Sequence, residues 1–238
     1  MIKLVNQYLK NLMVIKKKII KAVIFDLDGT LIDSDKDIHK IINSIRTKYL
    51  SKNKLNITRI SHYTSIGGID LIKKTLSKNN SKFYLDVFRE LYLNQKISKN
   101  LILPGVISIL EFLKKKNIKI FICTNKPKNL TSKIIKNTIL NKFIDEYFCA
   151  DEYKLKKPDK AFFYKILNKV KINKYQIIYI GDSLVDYNFC KNSVIKFFLY
   201  KNKRIKYPQQ IYSKLLKLNK VIFDFMNINN LKEKLFKI

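Results

Sequence analysis

Lys21-Ala22-Val23-Ile24-Phe25-Asp26, running on into Leu27-Asp28-Gly29-Thr30, is the stretch on which the fold turns. Four apolar residues in a row, too few for a helix, end at a carboxylate and meet an Asp-Gly pair suited to a tight turn. This predicts a buried strand that stops abruptly in a loop. Working outward, similar short apolar runs occur at Ile118 to Cys123, Tyr147 to Ala150, Ile177 to Ile180, Ile195 to Leu199 and Val221 to Phe225. Helical patterns lie between them, clearest at Val106 to Lys116 after Pro104-Gly105, at Leu130 to Asn137, and at Ala161 to Val170 after Pro158. Strands alternating with helices predict βαβ units, hence an α/β fold around a parallel sheet.

The interval after the first strand breaks this rhythm. Ser34 to Lys99 has no strand-like run but three helical stretches, at Asp37 to Leu50, Ile69 to Leu76 and Phe83 to Ile97. That is too long for an ordinary crossover, so a small helical domain is expected over a Rossmann-like core with helices on both faces. The expected division is 19–33 and 100–238 for the core, 34–99 for the insert and 1–18 for an N-terminal extension. Met13 precedes Lys16-Lys17-Lys18, so a chain starting there is expected to retain activity without the first twelve residues. Those residues have no long apolar segment or small-residue cleavage site, which argues against a secretory signal.

Composition first suggests a different function. The 238 residues carry 49 Lys plus Arg against 18 Asp plus Glu, a formal charge of +31, as in nucleic-acid binders. Only Arg46, Arg59, Arg89 and Arg204 are arginine, whereas readers of phosphates and base edges favour the arginine fork. The lysines are spread along the chain rather than clustered. With Ile, Asn, Tyr and Phe abundant and only three alanines, the charge reads as drift towards A/T-rich codons, and no specific nucleic-acid partner is expected. No apolar run approaches the roughly 20 residues of a membrane span. Cys123, Cys149 and Cys190 are isolated and lack CxxC spacing, so neither a disulfide framework nor a zinc site is indicated, and a reducing cytoplasm fits. Nothing in the pattern fixes an oligomeric state.

Where acids are scarce, their placement is informative. Asp26, Asp28, Asp33, Asp35 and Asp37 fall within twelve residues, and Asp182 and Asp186 follow another predicted strand. Parallel sheets bind ligands at the carboxyl ends of their strands. Carboxylates converging there need a cation among them, and hard oxygen ligands suit Mg²⁺. Asp26 or Asp182 alone could be a turn or helix cap; the two together fit a site better. Thr124 and Asn125 follow a strand and offer a hydroxyl, an amide and backbone N–H groups for a phosphate. Lys157, fixed in direction by Pro158, offers a cation. Thr124 alone reads equally well as a helix cap, and Lys157 alone as one lysine among many.

Phe25-Asp26-Leu27-Asp28-Gly29-Thr30-Leu31, then Thr124-Asn125, Lys157-Pro158, and Gly181-Asp182-Ser183 with Asp186, resemble in order and spacing the four motifs of the haloacid dehalogenase superfamily. Leu103-Pro104-Gly105-Val106 and Cys123-Thr124-Asn125-Lys126-Pro127 resemble its phosphoglycolate phosphatase branch, in which the helical insert is a cap domain. The resemblance implies that Asp26 is a nucleophile forming an aspartyl-phosphate and that Asp28 is the general acid and then base. It implies that Asp26, the Asp28 carbonyl and Asp182 hold Mg²⁺, and that Thr124, Asn125 and Lys157 bind the phosphoryl group. Asp186 would orient metal-bound water or Lys157.

The implied activity is a Mg²⁺-dependent phosphomonoester hydrolase acting on a small phosphorylated metabolite, 2-phosphoglycolate first. The nearest rivals are a broader sugar-phosphate or nucleotide phosphatase and a phosphomutase, though the latter usually has valine in place of Thr30. A basic nucleic-acid-binding protein on this scaffold is the non-enzymatic rival, and it predicts steep salt dependence. Gly67-Gly68 resembles the cap loop that reaches the site, or is an ordinary interhelix turn; Arg59 is a candidate for a substrate carboxylate, or a solvated surface residue. His39 and His62 read as incidental. Lys160 stands where the family has a second proline, and Phe189 and Ser193-Val194 replace a run of small residues, which bears on substrate more than on chemistry.

Overall fold

A computed structural model describes residues 20–61, 63–64, 66–98, 101–200, 221–222 and 225. The expected extension 1–18, Met13, Arg204 and His62 lie outside the described residues. Six parallel strands form one sheet in the order β3-β2-β1-β4-β5-β6: β1 Ala22–Phe25, β2 Lys119–Thr124, β3 Glu146–Cys149, β4 Ile177–Gly181, β5 Lys196–Tyr200 and β6 Val221–Ile222. Strand β1 is central, between β2 and β4, because the order reverses there. Such a switch point opens a crevice at the carboxyl edge.

Alternate residues of each strand face opposite sides, as the pleat requires. Val23, Phe25, Ile120, Ile122, Ile178 and Ile180 pack on one side with Ile109, Leu110 and Leu113 of helix α5 (Val106–Lys115) and Leu130 and Ile134 of α6 (Lys128–Lys136). Ala22, Ile24, Cys123, Ile177 and Tyr179 pack on the other with Phe162, Phe163 and Ile166 of α8 (Lys160–Val170) and Phe189 of α9 (Leu184–Ser193). Both faces are covered, which is why these strands read as continuous apolar runs rather than alternating ones.

Between residues 34 and 98 the regular elements among the described residues are helices: α1 Asp35–Leu50, α2 Ile57–Ser61, α3 Gly68–Thr75 and α4 Ser81–Asn94. The two chain crossings into and out of this insert pair with each other. Asp33 N–H donates to Leu101 C=O at 2.7 Å and Leu103 N–H to Leu31 C=O at 3.0 Å. Ile42, Ile45, Ile60, Ile72 and Phe88 of the insert join the same continuous apolar cluster as Val23 and Phe25 of the sheet. Helix α2 and the short α7 (Ala150–Tyr153) carry too few residues for a periodic signal and were not expected from the pattern. Of the last expected strand, Val221–Ile222 is described as β6, and Phe225 stacks on Tyr200 at 4.1 Å.

Candidate active site

The loop that decided the fold also builds the site. Asp26 follows β1 directly, and its N–H donates to Ile180 C=O at 2.9 Å, so the sheet ladder fixes its position. Gly29 has φ +84°, and a Cβ there would lie 2.3 Å from Asp182 Oδ2. Glycine is required both for the turn and for the approach of the Asp182 carboxylate. Thr30 Oγ1 donates to Asp182 Oδ1 at 3.1 Å, tying the first loop to the one after β4. Asp26, Asp182 and Asp186 each bring a carboxylate oxygen within 4.8 Å of the others.

Lys157 is the cation of this cluster. Its side chain is 3% exposed, and Nζ donates to Asp26 at 2.8 Å, Asp186 at 2.6 Å and the Tyr179 hydroxyl at 2.9 Å. The Lys157-Pro158 peptide is cis. Burial alone would lower the lysine's pKa; Asp186 and Asp26 outweigh it and raise it above the ordinary lysine range. For Asp26, burial is the larger influence, lifting the carboxyl to about 7 against the opposing pull of Lys157. Asp182 is raised well above the usual carboxylate range by burial, then by Asp26 and Asp186.

These shifts bear on a metal. Three buried carboxylates facing one ammonium leave a formal excess of two negative charges, the charge of one divalent cation. The donors are all hard oxygens, which fits Mg²⁺ rather than zinc or copper. Asp26 and Asp182 are the residues able to hold it. Asp186 is committed elsewhere: Oδ1 to Lys157 and Tyr179, Oδ2 to the Ser183 N–H and hydroxyl in the capping box of α9. Of the two expected tasks for Asp186, its contacts match orienting Lys157.

The phosphate-side residues converge on the same edge. Thr124, at the end of β2, is buried, and its Oγ1 accepts from Lys126 N–H at 3.0 Å. Asn125 was expected to offer its amide to a phosphate. Its amide is used in both directions by the Lys157 backbone, Oδ1 accepting at 2.9 Å and Nδ2 donating at 3.2 Å. It therefore pins the Lys157 loop, leaving its backbone as the part suited to a phosphate. Asp28 lies over the same edge, gripped by Lys126 Nζ at 2.9 and 3.0 Å and by Ser34 Oγ at 2.5 Å.

The insert candidates stand further out. Gly67 has φ +104° and open space around its Cβ position, while a Cβ on Gly68 would meet Leu85 at 3.0 Å. Asp70, in the first turn of α3 after this pair, meets Lys156, the neighbour of Lys157, at 2.9 Å. The glycine pair is thereby linked to the lysine loop. Arg59 is exposed on α2, close enough to Arg46 for the two cations to repel. His39 Nε2 is shared between Leu55 C=O and the Asn43 amide, a structural arrangement.

Tyr179, Lys126 and Ser34 were missed from sequence. Tyr179 had a readable signal, as the one polar-tipped residue inside Ile177-Ile178-Tyr179-Ile180. Lys126 was hidden among many lysines, and Ser34 resembled any helix cap.

An open parallel α/β sheet with an acidic cluster, only partly offset by Lys157, at its switch point is suited to a ligand bound at the carboxyl edge. Comparison with known proteins narrows the class. A family model described as haloacid dehalogenase-like hydrolase matches residues 23–200. A phosphoglycolate phosphatase of Rhodobacter capsulatus is 27% identical over 195 residues, covering 79% of this chain and 87% of the relative. One from Psychrobacter arcticus is 31% identical over 177 residues, covering 70% and 76%. The crystal structure of a predicted phosphatase from Clostridium acetobutylicum superposes with a TM-score of 0.78 at 17% identity, over 92% of this chain and all of that one, which speaks to the fold. The chain belongs to the haloacid dehalogenase-like hydrolases, in their phosphoglycolate phosphatase-like branch, and is an enzyme of the phosphatase type. Among the described residues no helix is long and apolar enough to cross a membrane.

Proposed function

We propose that this chain is a Mg²⁺-dependent phosphomonoester hydrolase that works through an aspartyl-phosphate on Asp26, with 2-phosphoglycolate as its substrate. The observation that carries the reading is the placement of Asp26: buried at the end of the central strand, 2.8 Å from Lys157, with Asp182 beside it and Asp28 two residues on. Phosphoryl transfer asks a protein mainly for in-line positioning and for cations against the charge on the equatorial oxygens. Asp26 attacks phosphorus and the leaving oxygen departs, protonated by Asp28. Asp28 then takes a proton from the water that attacks the acyl phosphate, returning Asp26 as a carboxylate and releasing inorganic phosphate.

Asp26, the Asp28 carbonyl and Asp182 would hold Mg²⁺. When bound, it offsets the repulsion between these carboxylates and a phosphate dianion, which at about 4 Å and an effective dielectric of 20 is about 4 kcal/mol per pair of unit charges. Lys157 neutralises the opposite side of the phosphoryl group, and Thr124 with the backbone N–H groups after it completes the cradle. Asp186 and Tyr179 hold the Lys157 ammonium in place from behind. The helical insert of 34–99 acts as a cap over this edge, with Gly67-Gly68 and Arg59 on the side that selects the leaving group.

The names of the curated relatives support 2-phosphoglycolate as substrate, and buried, disulfide-free cysteines suit the cytoplasm. The purified protein should be assayed against 2-phosphoglycolate, nucleotides and sugar phosphates, with Mg²⁺ and with EDTA. Highest kcat/KM for phosphoglycolate, abolished by EDTA, is expected. A preference for nucleotides or sugar phosphates would overturn the substrate, and metal-independent turnover would overturn the cofactor.

A further inference from the structure

The mechanism above leaves one buried cation without a task. Lys126, in the turn after β2, has a side chain only 7% exposed. Its Nζ donates to both oxygens of Asp28, at 2.9 and 3.0 Å. The same ammonium lies 4.6 Å from the ring centroid of Tyr92. The three residues come from three places: the loop after β1, the loop after β2, and the last turn of helix α4 in the insert.

This differs from an ordinary lysine pair on this lysine-rich surface. Lys156 and Asp70, with side chains 54% and 39% exposed, form the kind of contact worth little in water. A buried ammonium needs partners to replace its lost hydration. Here burial would lower the Lys126 pKa, yet Asp28 and then Tyr92 raise it above the ordinary range. Contact with both carboxylate oxygens fixes the direction of the Asp28 carboxyl group, and Ser34 Oγ on Oδ1 at 2.5 Å adds a second hold. The C-terminal end of α4 is itself anchored to the core. Lys133 of α6 donates to the carbonyls of Tyr92, at 3.4 Å, of Gln95, at 2.5 Å, and of Leu93.

We propose that Lys126 is a positioning residue for Asp28, and that Tyr92 makes this positioning depend on where helix α4 of the insert sits. The inference rests on the reading of Asp28 as acid and base. With α4 docked, the ring of Tyr92 holds the ammonium and the ammonium holds the carboxylate. With α4 displaced, Lys126 exchanges Tyr92 for water and Asp28 loses its rigid partner. Closure of the insert is thereby coupled to readiness of the acid–base group, with Lys126 acting on the substrate only through Asp28.

The test compares full-length wild type, Lys126→Met, Lys126→Arg and Tyr92→Leu on 2-phosphoglycolate and on p-nitrophenyl phosphate. The aryl leaving group departs without a proton, so its kcat/KM, which reports steps up to the phosphoenzyme, needs no general acid. Lys126→Met is expected to lose about 100-fold in kcat/KM on the alkyl ester but less than about 3-fold on the aryl ester. On the aryl ester kcat and KM should fall together as the phosphoenzyme accumulates. Lys126→Arg, which keeps the charge but presents a planar fork in place of a point-like ammonium, should recover to within about 10-fold of wild type, and Tyr92→Leu should show the same discrimination at about 10-fold. Equal losses on both esters, or no loss on either, would overturn the positioning role while leaving Asp26 as nucleophile untouched. If Lys126→Met does not fold, the arginine and Tyr92 variants carry the same comparison. A wild type that hydrolyses neither ester would overturn the underlying reading as well.

Discussion

Lys157 and Lys126 are both buried against aspartates at one edge of the sheet, yet their surroundings differ. Lys157 is enclosed by the core alone, with Asp26, Asp186 and Tyr179 all on strands β1 and β4 or the segments directly after them. Lys126 spans a boundary, with Asp28 on the core side and Tyr92 on the insert. The same chemical pair therefore serves two purposes. In the proposed mechanism a cation locked among fixed carboxylates supplies a permanent charge for the phosphoryl group, and one shared with a second helical unit supplies an adjustable contact. Burial alone does not separate them; the origin of the partners does.

The strongest way to break this distinction is to remove each ammonium in turn. Lys157→Met should lower kcat/KM by about 10³-fold, equally for alkyl and aryl phosphates, because the cation serves the phosphoryl group common to both. An ester-dependent loss would assign Lys157 to the leaving-group side. Next in size is Asp182→Asn, which should raise the Mg²⁺ concentration for half-maximal activity by about 10- to 100-fold, an effect of the size seen on removing partners of metal ligands. Isothermal titration with Mg²⁺ provides the check, and unchanged affinity would remove Asp182 from the metal set.

Gly29→Ala should then destabilise by about 1 to 3 kcal/mol, since φ +84° and a Cβ 2.3 Å from Asp182 Oδ2 combine strain with a clash. Urea melts would measure it. The last test is a pH dependence. Asp26 is raised to about 7 in the folded, metal-free chain, from about 3.9 when unfolded. The folded state therefore holds that proton more tightly, and the group's contribution is fully present below about pH 4 and lost as pH rises through about 7. In EDTA, Asp26→Asn should accordingly gain stability relative to wild type between pH 4 and 7. A difference constant with pH would show that Asp26 ionises unhindered.

The chemistry of the core was more legible in the sequence than that of its partners. Strand β1, its turn and the acids after β4 were readable because buried parallel strands are uniformly apolar and a scarce acid at each end is conspicuous. The paired contacts were not. Lys126 is one lysine in a chain full of them, and only its closeness to Asp28 and Tyr92, far apart in sequence, distinguishes it. Asn125 was visible as part of a motif, but the use of its amide by the Lys157 backbone depends on two loops meeting. Helices α2 and α7 were too short to show a period. The +31 charge proved uninformative about the site, where the cations that matter are buried.

The central claim is that Asp26 carries the phosphoryl group. The direct measurement is turnover of 2-phosphoglycolate by wild type and by Asp26→Asn, with Mg²⁺ and with EDTA, each variant first matched for fold by circular dichroism. The expected result is activity in wild type that EDTA abolishes and none in Asp26→Asn with Mg²⁺ present. A folded Asp26→Asn protein with full activity would contradict it.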